Sequence, residues 1–506
     1  ADELRANSKL TPVQYRDPVL GLVFLAYAEN RFEAIRADVE SRASARNPAT
    51  VADYKAKSVL YVPDESRLSY LVGLPEGDDI GKAVDNAIKA IEATNPELKD
   101  ILPRGYQKLE RPTLIELLRL FAPLPTQLEG DAFGFIYEDF LSNFAAQEGK
   151  GGGEYFTPYS IVRLIVEILE PFQGRVFDPA CGSGGMFVQC AKFVERHHES
   201  ATRKLSVFGT EKTEDTVPLA KMNLALRGIE ANLGDHSADT FTNDLHPDLR
   251  ADFIIANPPF NVSEWWDPKL ANDIRWKYGT PPEGNANFAW AQHFIHHLAP
   301  NGTAGFVMAN GSLSNTDGQQ GDIRRNLIEA ELVDCIVSLP TKLFLNTPIP
   351  VCLWFISKGR SGNGHRKRTG EVLFIDAKGM TEPITRRVHK FTDETIASIA
   401  DTYHQWRNKD GEYENIPGFC NSASREEIKS HDFVLNPGRY VGAAEAEADD
   451  EPLDEKIERL TAELFAEFDR GSALEEELRN RLTALSYGSC GGVDAVLSNE
   501  EIKPNV

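Results

Sequence analysis

Cysteine is sparse in this chain and nowhere forms a CxxC pair. The six cysteines (Cys181, Cys190, Cys335, Cys352, Cys420 and Cys490) are scattered over 506 residues. That spread argues against a structural zinc site and suits a reducing compartment. Long apolar runs are missing as well. None is long enough to span a bilayer, and the first residues do not read as a signal peptide. A cytoplasmic protein with no membrane contact is expected. Positive charge is in deficit, with 54 Lys and Arg against 77 Asp and Glu and a net charge of −23. A protein that grips nucleic acid unaided usually shows a basic face, because phosphate neutralisation supplies much of the affinity. Basic residues gather here only locally, from Lys358 to Arg368 and at Arg386 and Arg387. If DNA is the substrate, another chain is expected to supply much of the grip and the sequence reading. His293, His296 and His297 lie in one helical run with no acid or cysteine at ligand spacing, so no metal site is expected.

The chain length fits two or three domains. Residues 1–145 read as a helical N-terminal domain, with buried helices around Val19–Tyr27 and Leu114–Leu120 and few strand signals. Gly149 to Gly153, with Lys150 among the glycines, marks a linker or mobile loop. From 146 to 440, short apolar runs alternate with helical stretches, the signature of a doubly wound α/β domain. The expected strands are 175–178, 205–211, 231–235, 252–257, 303–309, 332–339, 351–357 and 373–376. Residues 441–506 begin with an acidic, Ala-rich break. Leu453, Ile457, Leu460, Leu464 and Phe468, then Leu474, Leu478, Leu482 and Leu485, recur at helical spacing. Such narrow seams want a partner helix, on the parent domain or on another protein.

The most informative stretch is Asn257-Pro258-Pro259-Phe260, at the exit of the strand 252–257. The prolines stiffen the turn. The Asn257 amide oxygen and the Pro258 carbonyl can both accept from one NH2 group, and Phe260 offers a face for stacking. Such a site would hold an sp2 amino group and aim its lone pair at an electrophile; the alternative is simply a rigid loop exit. Asp178 to Met186, at the end of the first α/β strand, supplies the other half. Asp178 ends the strand, and Ala180, Gly182, Ser183, Gly184 and Gly185 form a turn that a ligand can approach closely. The loop lacks the Lys-Ser/Thr ending of a phosphate-binding P-loop, and a carboxylate there suits a cationic amino group. Glu211 closes the second strand, where an acid binds two ribose hydroxyls. NAD-binding folds share that feature. Asp235 ends the third strand and is placed for an adenine amino group, or else for a turn or helix cap. Thr157 and Pro158, after Glu154, Tyr155 and Phe156, read as an N-cap with proline at the first helical position. Cys181 reads as packing within the glycine loop. Trp265 and Trp266 could line a cleft or simply pack.

This constellation resembles the amino-methyltransferases of DNA. With the helical N-terminal domain and Gly284-Asn285-Ala286-Asn287-Phe288, it is similar to the modification subunit of type I restriction–modification systems, over nearly the whole chain. The resemblance implies a Rossmann-like methyltransferase core using S-adenosylmethionine, with a helical C-terminal tail. Glu154, Tyr155, Phe156, Thr157 and Pro158 would form a flap contacting the cofactor's methionine part, and Asp178, Ala180, Gly182 to Gly185, Glu211 and Asp235 would bind the rest. Asn257, Pro258, Pro259 and Phe260 would be catalytic toward the N6 amino group of an adenine flipped out of double-stranded DNA. It also implies two copies of the chain on one specificity subunit, with a restriction subunit able to join. Other readings are a stand-alone enzyme acting on cytosine N4, RNA or protein glutamine, and a non-catalytic cofactor-binding scaffold.

Overall fold

The structure is a computed structural model that describes residues 12–44, 46, 48–122, 157–197, 205–344, 350–362, 364–384, 389–443 and a few positions between 461 and 471. The chain divides into two units, Ala1–Gly442 and Ala443–Val506. In the first, the N-terminal part is helical: α1 (Pro12–Ser41), α2 (Val51–Lys55), α3 (Leu68–Val72), α4 (Ile80–Thr94) and α5 (Arg111–Phe121). Helix α4 shows why these segments fold as they do. Ile80, Val84, Ala87, Ile88 and Ile91 form one buried stripe, and the Asp79 side chain caps the helix by accepting from the Lys82 amide. In α1 the run from Val19 to Ala28 buries every apolar side chain.

The rest of the first unit is built on one sheet. Helix α6 (Tyr159–Leu169) leads into β1 (Gly174–Asp178), α7 (Gly185–Arg196), β2 (Leu205–Gly209), α8 (Thr216–Leu226), β3 (Ala231–Asn232) and β4 (Ala251–Ala256). Then come α9 (Asn287–His297), β5 (Leu298–Ala309), α10 (Gln320–Glu329), β6 (Val333–Ser338), β7 (Val351–Ser357) and β8 (Glu371–Asp376). A two-stranded hairpin of β9 (Glu382–Pro383) and β10 (His389–Lys390) precedes α11 (Asp393–Arg407), β11 (Cys420–Ser424) and α12 (Arg425–Ser430). The sheet order is β11-β8-β6-β7-β5-β4-β1-β2-β3, with β7 antiparallel to both β5 and β6. Two hydrophobic clusters, one on each face, hold it between helices.

From β1 the order runs to β2 and β3 on one side and to β4 and β5 on the other. A doubly wound sheet binds ligands at this switch point, in the crevice outside the carboxyl ends of the strands. Val176 pairs with Phe253 and Phe177 with Ile254 in parallel register. The loops following Asp178 and Ala256 therefore emerge side by side.

The expected strands are present with shifted ends. The third is shorter than expected, because Gly234 at φ +76 turns the chain beside Leu245. The second ends at Gly209, and the edge strand β11 was not expected from its polar sequence, Cys-Asn-Ser-Ala-Ser. The helical part is also not a free-standing body. Met222 and Leu226 of α8 sit in its core, and Arg31 Nη1 donates to the Leu226 carbonyl at 3.0 Å. Gly228, at φ +65, meets Ser58 so closely that an added Cβ would lie 2.4 Å from the Ser58 carbonyl oxygen. Gly228→Ala is expected to lose about 1–3 kcal/mol in chemical denaturation, from overpacking and left-handed strain. An unchanged midpoint would show that this contact gives way freely.

In the second unit, Thr461, Phe465, Phe468, Arg470 and Gly471 are helical. Phe465 and Phe468 are both about 60% exposed, with ring centroids 6.4 Å apart. Most of the expected seam between Leu453 and Leu485, and the glycine-rich stretch 149–153, lie outside the described residues.

Candidate active site

Asp178 is buried at the end of β1. Burial pushes its carboxyl up to about 8, with the nearby Glu211 charge adding to the rise and the Ala180 amide, which donates to Oδ1 at 3.0 Å, opposing it. A buried carboxyl of this kind is poised to ionise when a cation arrives. The turn after it needs glycine, since Gly182 and Gly184 sit at φ +52 and +80. Gly184 precedes the first residue of α7, and a Cβ added at Gly182 or Gly185 would meet nothing within 4 Å. The turn therefore faces open space and leaves room for a ligand against its backbone. Asn223 of α8 holds the turn from behind, donating to the Ser183 carbonyl at 2.8 Å. Cys181 is buried, and burial pushes its thiol well above the usual range, the opposite of an activated nucleophile.

Glu211 lies just beyond β2 and bends back over the turn, accepting from the Gly182 amide at 2.9 Å and the Thr213 amide at 2.7 Å. It is thus brought to the glycine turn. Asp235 is exposed in the bend that follows the short β3, and among the described residues no hydrogen bond or ion pair ties it to the turn. Instead the chain returns, and the Ala238 amide donates to the Glu211 carbonyl at 2.8 Å. That contact sets the neighbouring residue, Asp239, beside the site. Its Oδ1 accepts from the Phe241 amide at 2.9 Å, and Thr240 donates to the Pro179 carbonyl at 2.6 Å.

Asn257 stands directly after β4. Its Nδ2 donates to Thr157 Oγ1 at 2.9 Å, across 100 residues of sequence. Its Oδ1 is buried and has no hydrogen-bond partner among the described residues. A buried acceptor left unpaired costs about 1–3 kcal/mol, which an incoming amino group would relieve. Pro258 is buried and Pro259 half-buried. Phe260 is only 8% exposed and belongs to the same cluster as Val307, Ala309 and Phe344, so little of its ring is open for stacking. Pro158, not Thr157, is the residue that caps α6: the Ile161 amide donates to the Pro158 carbonyl at 3.0 Å, and the first helical residue is Tyr159. The Thr157 hydroxyl is thereby released from the capping role expected of it. Glu154, Tyr155 and Phe156 lie outside the described residues.

The loop after Phe260 is braced by a pair of asparagines. The Asn261 amide donates to Asn287 Oδ1 at 2.8 Å, and Asn287 Nδ2 donates to Asn261 Oδ1 at 2.9 Å. Asn261 is itself at φ +60. The sequence carries this brace only as an unassigned Gly-Asn-Ala-Asn. Trp265 is packing: it is buried against Phe241 and Trp276, and its indole donates to the Pro282 carbonyl at 3.1 Å. The histidine run acquires an acid that sequence spacing did not reveal. His297 Nε2 lies 2.9 Å from Asp244 Oδ2 and its Nδ1 3.2 Å from the Leu249 carbonyl. His293 Nδ1 is 3.2 Å from the Arg275 guanidinium, and a cation beside the cluster repels a second one.

Comparison with known proteins gives the family. Residues 128–449 match the N-6 DNA Methylase family and residues 1–121 the HsdM N-terminal domain. The chain is 48% identical to the type I restriction enzyme HindI methylase subunit of Haemophilus influenzae, over 81% of this chain and 93% of that protein. It is 38% identical to the MjaIX methylase subunit of Methanocaldococcus jannaschii, over 96% and 90% of the two chains. In fold it is similar to a type I restriction-modification methyltransferase subunit from Streptococcus thermophilus. That structure superposes with a TM-score of 0.70 at 22% identity, covering 88% of this chain and 97% of the other.

Proposed function

This chain belongs to the N-6 DNA methylase family, as a methylase subunit of the type I restriction enzymes, and on that premise we propose how its site works and what it works with. The cofactor is S-adenosylmethionine, which when bound supplies an electrophilic methyl group on a positively charged sulfur. The residues present fit it. Asp178 takes the amino group of the methionine part, its buried carboxyl ionising against that cation. The open turn at Gly182 to Gly185 takes the backbone-side approach, and Glu211 takes the ribose hydroxyls. Asp239 takes the adenine amino group, in place of Asp235.

The substrate is the N6 amino group of an adenine turned out of double-stranded DNA. Asn257 Oδ1 and the Pro258 carbonyl accept its two hydrogens, so the nitrogen lone pair points along the remaining direction. Phe260 holds the edge of the base. With the cofactor bound, the nitrogen would gain the methyl carbon as the sulfur–methyl bond breaks and the sulfonium leaves as a neutral thioether, and the surplus proton would pass to water, since an asparagine is no base. Catalysis here is positioning, plus dipoles that favour the positive charge developing on nitrogen. The single observation that carries this reading is the buried Asn257 Oδ1, unpartnered among the described residues. The test is to purify the chain with its specificity subunit, incubate the complex with DNA and labelled cofactor, and identify the methylated base. N6-methyladenine is expected; N4-methylcytosine, or no transfer to DNA, would overturn the reading.

Sequence recognition belongs to that specificity subunit, with two copies of this chain bound to it and a restriction subunit able to join. The charge of −23 favours this division of labour, since the chain alone has little to set against phosphates. The complex works in the cytoplasm; among the described residues no helix is long and apolar enough to cross a membrane. The C-terminal tail grips the partner, an assignment supported by the exposed aromatic pair Phe465 and Phe468. Removing residues 453–506 is expected to abolish co-purification with the specificity subunit while cofactor affinity stays within about twofold. A truncated chain that still assembles would sink the assignment.

A further inference from the structure

We infer that Thr157 is a positioning residue for methyl transfer: its hydroxyl holds the Asn257 side chain in place at the point where the amino group arrives. The inference rests on the role given to Asn257 above. A side-chain amide has two ends of nearly equal shape and opposite hydrogen-bonding sense. With Oδ1 forward, Asn257 accepts from an NH2 group. Rotated by half a turn, it would meet that group donor to donor. An enzyme relying on this residue needs something to choose between the two.

The structure supplies an anchor for the amide at one contact. Asn257 Nδ2 donates to Thr157 Oγ1 at 2.9 Å, which leaves Oδ1 in the buried position with no partner among the described residues. A threonine hydroxyl can donate as well as accept, so it holds the amide in either sense, and the incoming amino group itself selects the oxygen-forward one. The anchor is stiff. Thr157 lies just ahead of α6, whose Ile161, Leu164, Ile165 and Ile168 are all fully buried in the core. Helix α6 does not need the hydroxyl, because its first amides are met by the Pro158 carbonyl. The amide in turn is fixed at its other end by β4, in the middle of the sheet. Two elements 100 residues apart in sequence thus meet at the one hydroxyl and the one amide. The arrangement also joins the segment that leads into α6 to the loop that holds the base. Capture of the base and the setting of that segment are therefore coupled.

Two variants separate this role from others. Thr157→Val keeps the shape and removes the acceptor; Thr157→Ser keeps the acceptor and removes the methyl. Both are made in the full complex with the specificity subunit. Three quantities are read: single-turnover methyl transfer, S-adenosylmethionine affinity by calorimetry, and base capture without cofactor. Base capture is followed by the fluorescence of 2-aminopurine placed at the methylated position. Thr157→Val is expected to slow transfer about ten- to a hundredfold and weaken the capture signal. Cofactor affinity should stay within about twofold, and serine should restore transfer to within a few-fold. Wild-type transfer in the valine variant would overturn the proposal. So would a fall in cofactor affinity that matches the fall in rate, since the hydroxyl would then serve the cofactor. Failure of serine to rescue would reduce Thr157 to a packing residue. The wild-type complex is the baseline: if it does not methylate adenine, the functional reading itself fails, and the inference falls with it.

Discussion

Asn257→Ala is expected to cut methyl transfer by at least about a hundred- to a thousandfold while cofactor binding and folding stay nearly normal. Removing one preorganised hydrogen-bonding group aimed at a reacting centre typically costs that much in turnover. Several features single out this residue. Its Oδ1 has no partner among the described residues, so the truncation breaks only the bond to Thr157 and loses little stability. The proposed cofactor residues lie on the loops after β1, β2 and β3, to which the Asn257 side chain makes no hydrogen bond among the described residues. The measurement is single-turnover transfer in the complete complex, with calorimetric cofactor binding and thermal unfolding as controls. An alanine variant within tenfold of wild type would show that the amide is not the group that holds the amino nitrogen. Asn257→Asp is a useful companion. It keeps an acceptor but loses the donor to Thr157, so an intermediate rate is expected.

Asp178→Asn is expected to weaken cofactor binding by about ten- to a hundredfold and, at alkaline pH, to make the ligand-free chain more stable. Both effects follow from burial. The carboxyl is lifted from an ordinary value near 3.8 to about 8, chiefly because the buried site penalises its charge. The sign follows from proton counting. Between those two values the folded chain holds a proton that the unfolded chain has released. The stability this group contributes is therefore fully present below about 3.8, shrinks as pH rises, and is lost by the time pH passes about 8. Asparagine cannot ionise, so the variant lacks that decline and should melt higher than wild type at about pH 9, with little difference at about pH 4. Binding runs the other way. A cationic amino group favours the ionised carboxylate, so wild-type affinity should rise with pH up to about 8, with about one proton released per cofactor bound below it. The asparagine variant loses the charge-assisted bond, worth about 1.5–3 kcal/mol, and with it the proton release. Calorimetry in two buffers of different ionisation enthalpy reads the proton directly. Equal affinity or an equal pH slope in the variant would remove Asp178 from the cofactor site.

Much of the site is legible in the order of residues alone. The strand-to-glycine turn at Asp178, the acid at Glu211 and the Asn-Pro-Pro-Phe exit are local features, set by residues within a few positions of one another. Local chemistry fixes them because a turn with φ > 0 demands glycine and a proline pair stiffens the chain wherever it occurs. The family follows from their order along the chain. Less legible is everything that depends on a second segment. Asp235 and Asp239 are indistinguishable as residues, and only the fold shows that Ala238, beside Asp239, hydrogen-bonds to the Glu211 carbonyl. Thr157 reads as a helix cap because threonine before proline usually is one. The helix begins a residue later and leaves the hydroxyl for Asn257. Phe260 reads as an open platform, but the core beneath the sheet takes most of its ring.

Residue type, near-neighbour spacing and motif order thus point to the family and to the chemistry proposed for it: an amino-group acceptor site, a nucleoside cofactor turn, and an acidic chain suited to a DNA-reading partner. The chain carries those features into any conformation. It took the folded chain to decide which residue the Asn257 amide meets, which acid's neighbour bonds to Glu211, and how far α8 ties the helical part to the sheet. Each of these is a contact between segments tens of residues or more apart. Such contacts are chosen by how the whole core closes, not by the residues that make them.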